Sequence, residues 1–194
     1  MESFFNTFAE GLPADTNTQI IAVTGLDCAG KTEFSMNLAD ALKRLGHVPV
    51  LLHIDDYNNR PLQNDIYHRY KTGVFTETDF EQYYANSIDY QTARTAIQAY
   101  SNEHPMVIVE GVFLFRKQLA DLFTKKVWLH VSPEIAKDRY AIRRQKVGDH
   151  RPHTVFSDIW LKAHKRYERE YHPIKNADIV IDNNDWQKPK VLSD

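Results

Sequence analysis

The chain has 194 residues, a formal net charge of -2, a pI near 6.5 and one cysteine. That length suits one domain with a sizeable core, and the near-neutral balance excludes a general polyanion-binding or membrane-coating surface. A lone cysteine excludes an internal disulfide framework and no apolar run approaches the ~20 residues of a membrane span, so a cytoplasmic chain without nucleic-acid or membrane partners is expected.

The first residues, Met1-Glu2-Ser3-Phe4-Phe5-Asn6, lack the basic region of a signal peptide. Phe4, Phe5, Phe8 and Leu12 predict a short amphipathic helix stopped near Pro13, with Asp15 to Thr18 a polar linker; residues 1–18 read as an N-terminal extension. Gln19 to Thr24 is an apolar, β-branched run with the character of a buried strand. Directly after it comes Gly25-Leu26-Asp27-Cys28-Ala29-Gly30-Lys31-Thr32, which fits GxxxxGKT. Phe34, Leu38, Ala41, Leu42 and Leu45 then recur at helical spacing up to Gly46.

Strand, glycine loop and helix form the arrangement in which backbone N–H groups and a helix N-terminus cradle phosphate oxygens. Gly25, Asp27, Cys28, Ala29, Gly30, Lys31, Thr32 and Glu33 are the candidate cradle for a nucleoside triphosphate. Lys31 is expected on the β- and γ-phosphates and the Thr32 hydroxyl on Mg²⁺. Cys28 reads as a small residue tolerated in the loop rather than a redox switch.

A second strand is expected at His47 to Ile54, stopping at Asp55 and Asp56, and a loop with Asn58, Asn59 and Pro61 follows. A polar, tyrosine-rich stretch leads to Gly73, and Thr78-Asp79-Phe80-Glu81 resembles a capping box opening a long helix through Tyr100. Met106 to Val109 is the third strand, ending in Glu110-Gly111, and Lys126 to Val131 the fourth. Ser132-Pro133 opens a helix carrying Arg139, Arg143, Arg144 and Lys146 that breaks near Gly148. A further helix runs through Phe156 and Tyr167 to Pro173, Ala177 to Ile181 makes a last strand, and residues 183–194 read as a polar tail. Strands alternating with helices predict an α/β fold of three layers, its mostly parallel sheet covered on both faces, as one domain over 1–194.

The loops after these strands fall along one sheet edge, where ligands bind in open α/β folds. One of the Asp55–Asp56 pair is placed to accept the proton of an attacking hydroxyl. Glu110, ending an apolar strand beside the loop, is placed to hold Mg²⁺ directly or through water. Arg139, Arg143, Arg144, Lys146 and Arg151 form a cationic group suited to the charge that phosphoryl transfer spreads over oxygens.

Taken together, GLDCAGKT at 25–32, HIDDY at 53–57, VIVEGVFLF at 107–115, the arginine-rich helix after SPE and ADIVI at 177–181 resemble the uridine kinase and phosphoribulokinase family of P-loop small-molecule kinases. The resemblance implies ATP and Mg²⁺ as cofactors, Asp55 as general base with Lys31 and Arg143 in catalysis, and Thr32 and Glu110 around the metal. It also implies a mobile lid over about 133–152, with Arg139 and Arg143 on the nucleotide. The acceptor is expected to be a small molecule, foremost a nucleoside. Tyr57, Arg69 and Tyr84, with His68 and Tyr70, are candidates to line its pocket. No segment matches the nucleoside-binding Asn-Phe-Asp-His-Pro of the uridine–cytidine kinases. A nucleoside monophosphate kinase resembling thymidylate kinase, and a regulatory NTPase, stay open as alternatives, as does homo-oligomerisation.

Overall fold

In the computed structural model, which describes residues 1–12 and 18–193, the strands are β1 (Gln19–Gly25), β2 (Val50–His53), β3 (Met106–Gly111), β4 (Lys125–His130), β5 (Ile179–Asp182) and β6 (Lys190–Ser193). They form one sheet in the order β2-β3-β1-β4-β5-β6, parallel except for β6. β1 and β3 are buried along their whole length, which is why their sequences are continuous apolar runs without alternation. β2 starts at Val50 rather than His47, just past Pro49, which has no N–H to give to a ladder.

The helices are α1 (Glu2–Glu10), α2 (Lys31–Arg44), α3 (Arg60–Lys71), α4 (Glu77–Asn86), α5 (Tyr90–Glu103), α6 (Pro133–Val147), α7 (Leu161–Tyr171) and the single turn α8 (Pro173–Asn176). β2 lies to one side of β1 and β3 lies between them, so right-handed crossovers put α2 and α5 on opposite faces of the sheet. α1 packs on α2 through Phe4, Phe5 and Phe8 around Phe34, with Phe5 and Phe34 ring centres 5.0 Å apart. None of the helices of the described residues is long and apolar enough to cross a membrane.

Three further expectations are corrected. The long helix expected from Thr78 to Tyr100 is two helices, broken at Ser87 to Asp89, because the Asp89 side chain accepts from Thr92 N at 3.0 Å and caps α5. The capping box is formed by Thr76 and Asp79, not Thr78 and Glu81. The tail is polar but not without structure, since Lys190–Ser193 adds the antiparallel β6 to β5. The expected stop at Pro13 and most of the linker to Thr18 lie outside the described residues.

Candidate active site

Strand register brings the site together. Thr24 pairs with Gly111 and Gly25 with Leu129, so the loop after β1 opens between the ends of β3 and β4. The loop turns back through Cys28 and Gly30, whose φ values are +61° and +91°. Gly30 is the N-cap of α2, and no side chain caps that helix. Asn59, Thr76, Asp89 and Ser132, by contrast, cap α3, α4, α5 and α6 with their side chains. The first-turn N–H groups of α2 are therefore left for an anion. A Cβ on Gly30 would stand 2.9 Å from the Asn183 amide nitrogen, so glycine is needed for room as well as for its backbone angle.

The loop is held from behind. Asn183 Nδ2 donates to Ala29 O at 2.7 Å, and Arg139 donates to Ala29 O at 3.2 Å, to Asn183 O at 2.8 Å and to Asn184 O at 3.0 Å. Arg139 borders the cavity beside the loop, with its guanidinium donating to three backbone carbonyls. Asn183 was hidden in the sequence because a polar residue after a strand reads as solvated tail. Lys31 is buried, with Nζ donating to Leu26 O at 2.9 Å.

Thr32 Oγ1 donates to Glu110 Oε1 at 2.9 Å, and His53 Nδ1 meets the same oxygen at 2.7 Å. A hydroxyl and a carboxylate facing one cavity are hard oxygen donors of the kind Mg²⁺ takes, with phosphates and water completing its shell, so the residues fit that ion. Burial pushes the Asp27 carboxyl up, with Lys31 opposing and Asp55 adding to the rise. Burial also pushes the Cys28 thiol up, away from the thiolate of a redox centre.

β2 ends in a 3₁₀ turn, Ile54–Tyr57, that carries both aspartates. Its position is set by Gly111: a Cβ there would stand 1.9 Å from Ile54 Cγ2, so only glycine lets the end of β3 approach. Asp55 faces the phosphate cavity and also a second cavity beyond it, and its carboxylate makes no hydrogen bond among the described residues. Asp56 faces neither. Asp27, Val112 and Arg143 also border both spaces.

The second cavity is built by Asn58, Gln63, Tyr67, Tyr83, Tyr140, Asp149 and Trp160, to which the sequence assigned no role in the site, together with Arg144 and Arg151 of the cationic group. Trp160 ends a π-helical turn, Phe156–Trp160, that precedes α7. Tyr57, Arg69 and Tyr84 lie outside it. Arg69 pairs with Asp79 at 2.9 Å, and the Tyr84 hydroxyl donates to Glu170 at 2.6 Å while Arg116 covers its ring at 4.0 Å. The Tyr57 carbonyl receives Asp89 N at 2.8 Å, and its ring packs on the core. His68 is exposed, and Tyr70 bonds Thr154 and Asp158. The usable signal was the i, i+4 pair Gln63 and Tyr67, which presents one face of α3 to the cavity.

No protein-family model matches the sequence, and no curated protein does. Solved structures do share the fold. A possible uridine kinase from Bacillus stearothermophilus superposes with a TM-score of 0.66 at 21% identity, covering 92% of this chain and 96% of that one. A proposed fructose transport system kinase from Silicibacter sp. TM1040 gives 0.61 at 16%, covering 85% and 94%, and TT1252 from Thermus thermophilus gives 0.52 at 16%, covering 86% and 89%. The architecture is that of the P-loop kinase-like folds: a mostly parallel sheet flanked by helices, here with a glycine-containing loop between its first strand and the helix that follows. The resemblance drawn from GLDCAGKT and HIDDY thus extends to the fold.

Proposed function

We propose that this chain is an ATP- and Mg²⁺-dependent kinase that transfers the γ-phosphate to a hydroxyl of a small molecule. The observation that carries this reading is Asp55, an unbonded carboxylate bordering both the phosphate cavity and the second cavity. An acceptor in the second cavity would give its O–H proton to Asp55 as its oxygen bonds to the γ-phosphorus. The bond to the departing ADP then breaks. Lys31 neutralises phosphate charge, and Arg143, at the junction of the two spaces, covers the oxygens in flight. Thr32 and Glu110 would hold Mg²⁺, which when bound neutralises the phosphates and fixes their orientation. The resemblance puts nucleosides first among acceptors.

The test is ADP release from ATP·Mg²⁺ with a panel of nucleosides, nucleoside monophosphates, sugars and small hydroxy acids. Acceptor-dependent release is expected, and Asp55→Asn should lower kcat by about 10²–10⁴ with nucleotide binding retained. Near-normal turnover in that variant would remove Asp55 from the role. Slow hydrolysis indifferent to every acceptor would favour a regulatory NTPase instead.

A further inference from the structure

The second cavity limits what the acceptor can be. Four aromatic side chains border it, and aromatic faces are what a planar base stacks on. Tyr140 is buried against Phe156 and Trp160, with ring centres 5.8 and 5.0 Å away, and Tyr83 is buried against Tyr67 at 6.2 Å, which leaves Tyr67 and Trp160. Both are already covered. The Arg151 guanidinium lies 5.1 Å from the Tyr67 ring centre and 4.8 Å from that of Trp160. Asp149 pins it there: its carboxylate accepts from Arg151 Nε at 2.9 and 3.1 Å and from Nη2 at 2.6 Å. Arg144 Nε donates to Asp149 O at 3.0 Å, and the Trp160 indole N–H donates to the Tyr67 hydroxyl at 3.0 Å, so the plug and its two walls are bonded to their surroundings. A base could stack only by displacing a charged group with a bidentate partner.

What remains open is small and polar. The cavity volume is about 120 Å³, against about 400 Å³ beside the loop, whereas clefts that take drug-sized ligands measure ~300–1,000 Å³. Tyr140 lines this space with a buried ring, so the polar groups open to a ligand are those of Gln63 and Asn58. Gln63 commits its Nε2 to Ser87 O at 3.0 Å and keeps its carbonyl oxygen for a donor, while Asn58 can both give and accept. Hydroxyls meet all these requirements. A nucleoside is a sugar with a heterocycle attached, and there is a place only for the first half.

We infer that the acceptor is a sugar-sized polyol, open-chain or of one ring, and that Arg151 is the specificity residue that excludes planar bases. This rests on the kinase reading. The test is calorimetric binding of pentoses, hexoses, their reduced polyols and nucleosides to the whole chain with a non-hydrolysable ATP analogue and Mg²⁺, alongside ADP release with ATP. At least one sugar or polyol should bind and be phosphorylated with kcat/KM about 10²-fold above any nucleoside. Arg151→Ala should raise nucleoside affinity about 10-fold by uncovering the rings. Should that variant not fold, Asn58→Ala removes a donor and an acceptor from the cavity wall and should weaken the polyol about 10-fold. A nucleoside bound as well as any polyol by the unaltered chain, or no polyol bound at all, overturns the inference. A polyol bound without ADP release leaves the ligand class standing and removes the kinase reading.

Discussion

The proposed phosphate cradle and the proposed acceptor cavity share Asp55, yet they are made in opposite ways. The cradle is backbone: eight consecutive residues, Gly25–Thr32, shaped by two positive-φ positions and finished by a helix end that no side chain caps. The cavity is side chain, gathered from α3, α4, α6, the loop after it and the turn before α7. A shape made by contiguous backbone is written in a short motif, because glycine is required wherever a Cβ would collide. A shape made by side chains from distant segments depends on which way each helix is turned, and adjacent positions have opposite fates. Tyr83 lines the cavity, whereas Tyr84 is spent on Glu170 and Arg116.

Among substitutions that leave the functional groups in place, the one with the largest expected effect joins the two regions. Gly111→Ala places a methyl group 1.9 Å from Ile54 Cγ2, which forces the Asp55 turn away from the end of β3. Overpacking of this kind costs about 1–3 kcal/mol of stability, and a displacement of ~1 Å at the base costs about 10² in turnover. Thermal melts and steady-state kinetics on the variant check both; a Gly111→Ala protein with wild-type kcat would show that the cavity side adjusts independently of the cradle. A smaller effect is expected from Asn183→Ala, which removes one of two donors from Ala29 O. The loss of about 1 kcal/mol should appear as a several-fold weaker ATP Kd with kcat nearly unchanged. If kcat falls instead and Kd holds, the support behind the loop acts on the reacting atoms rather than on the cradle.

The smallest effect concerns Asp27, which borders both spaces. Burial raises its carboxyl, so the folded chain holds that proton more tightly than the unfolded chain. Ionisation therefore costs folding stability as pH rises through the carboxylate range. Asp27→Asn removes that cost. Its Tm should exceed that of the unaltered chain at pH 7, and the difference should shrink as the pH falls below the ordinary carboxylate range. A gain that grew with acidity would mean the carboxylate is stabilised where it stands.

Much of the fold was legible because its signals are local. The continuous apolar runs of β1 and β3, the Ser132 cap with Pro133 and the Gly148 stop all act within a few residues. The break between α4 and α5 was missed because apolar spacing continues through it, while the cap at Asp89 is a single carboxylate. Tyr57, Arg69 and Tyr84 were chosen by residue type, and the structure gives each a partner that type alone does not disclose. Asp55 over Asp56 could not be decided from a strand-end pair; the 3₁₀ turn separates them by facing only one toward the cavities.

The bonds from Arg139 and Asn183 to Ala29 reach across 110 and 154 residues of chain. A ribosome synthesises the loop early and its support late. β1, β3 and β4 can pair before residue 183 emerges, but the carbonyl at the base of the cradle then lacks its Asn183 donor, and Arg139 lacks the Asn183 and Asn184 carbonyls that anchor it. Nucleotide capture should therefore be the last property a growing chain acquires, after most of the sheet exists. ATP would then act on the finished molecule rather than as a template for its folding, and nascent chains stalled before Asn183 should be compact yet unable to retain it.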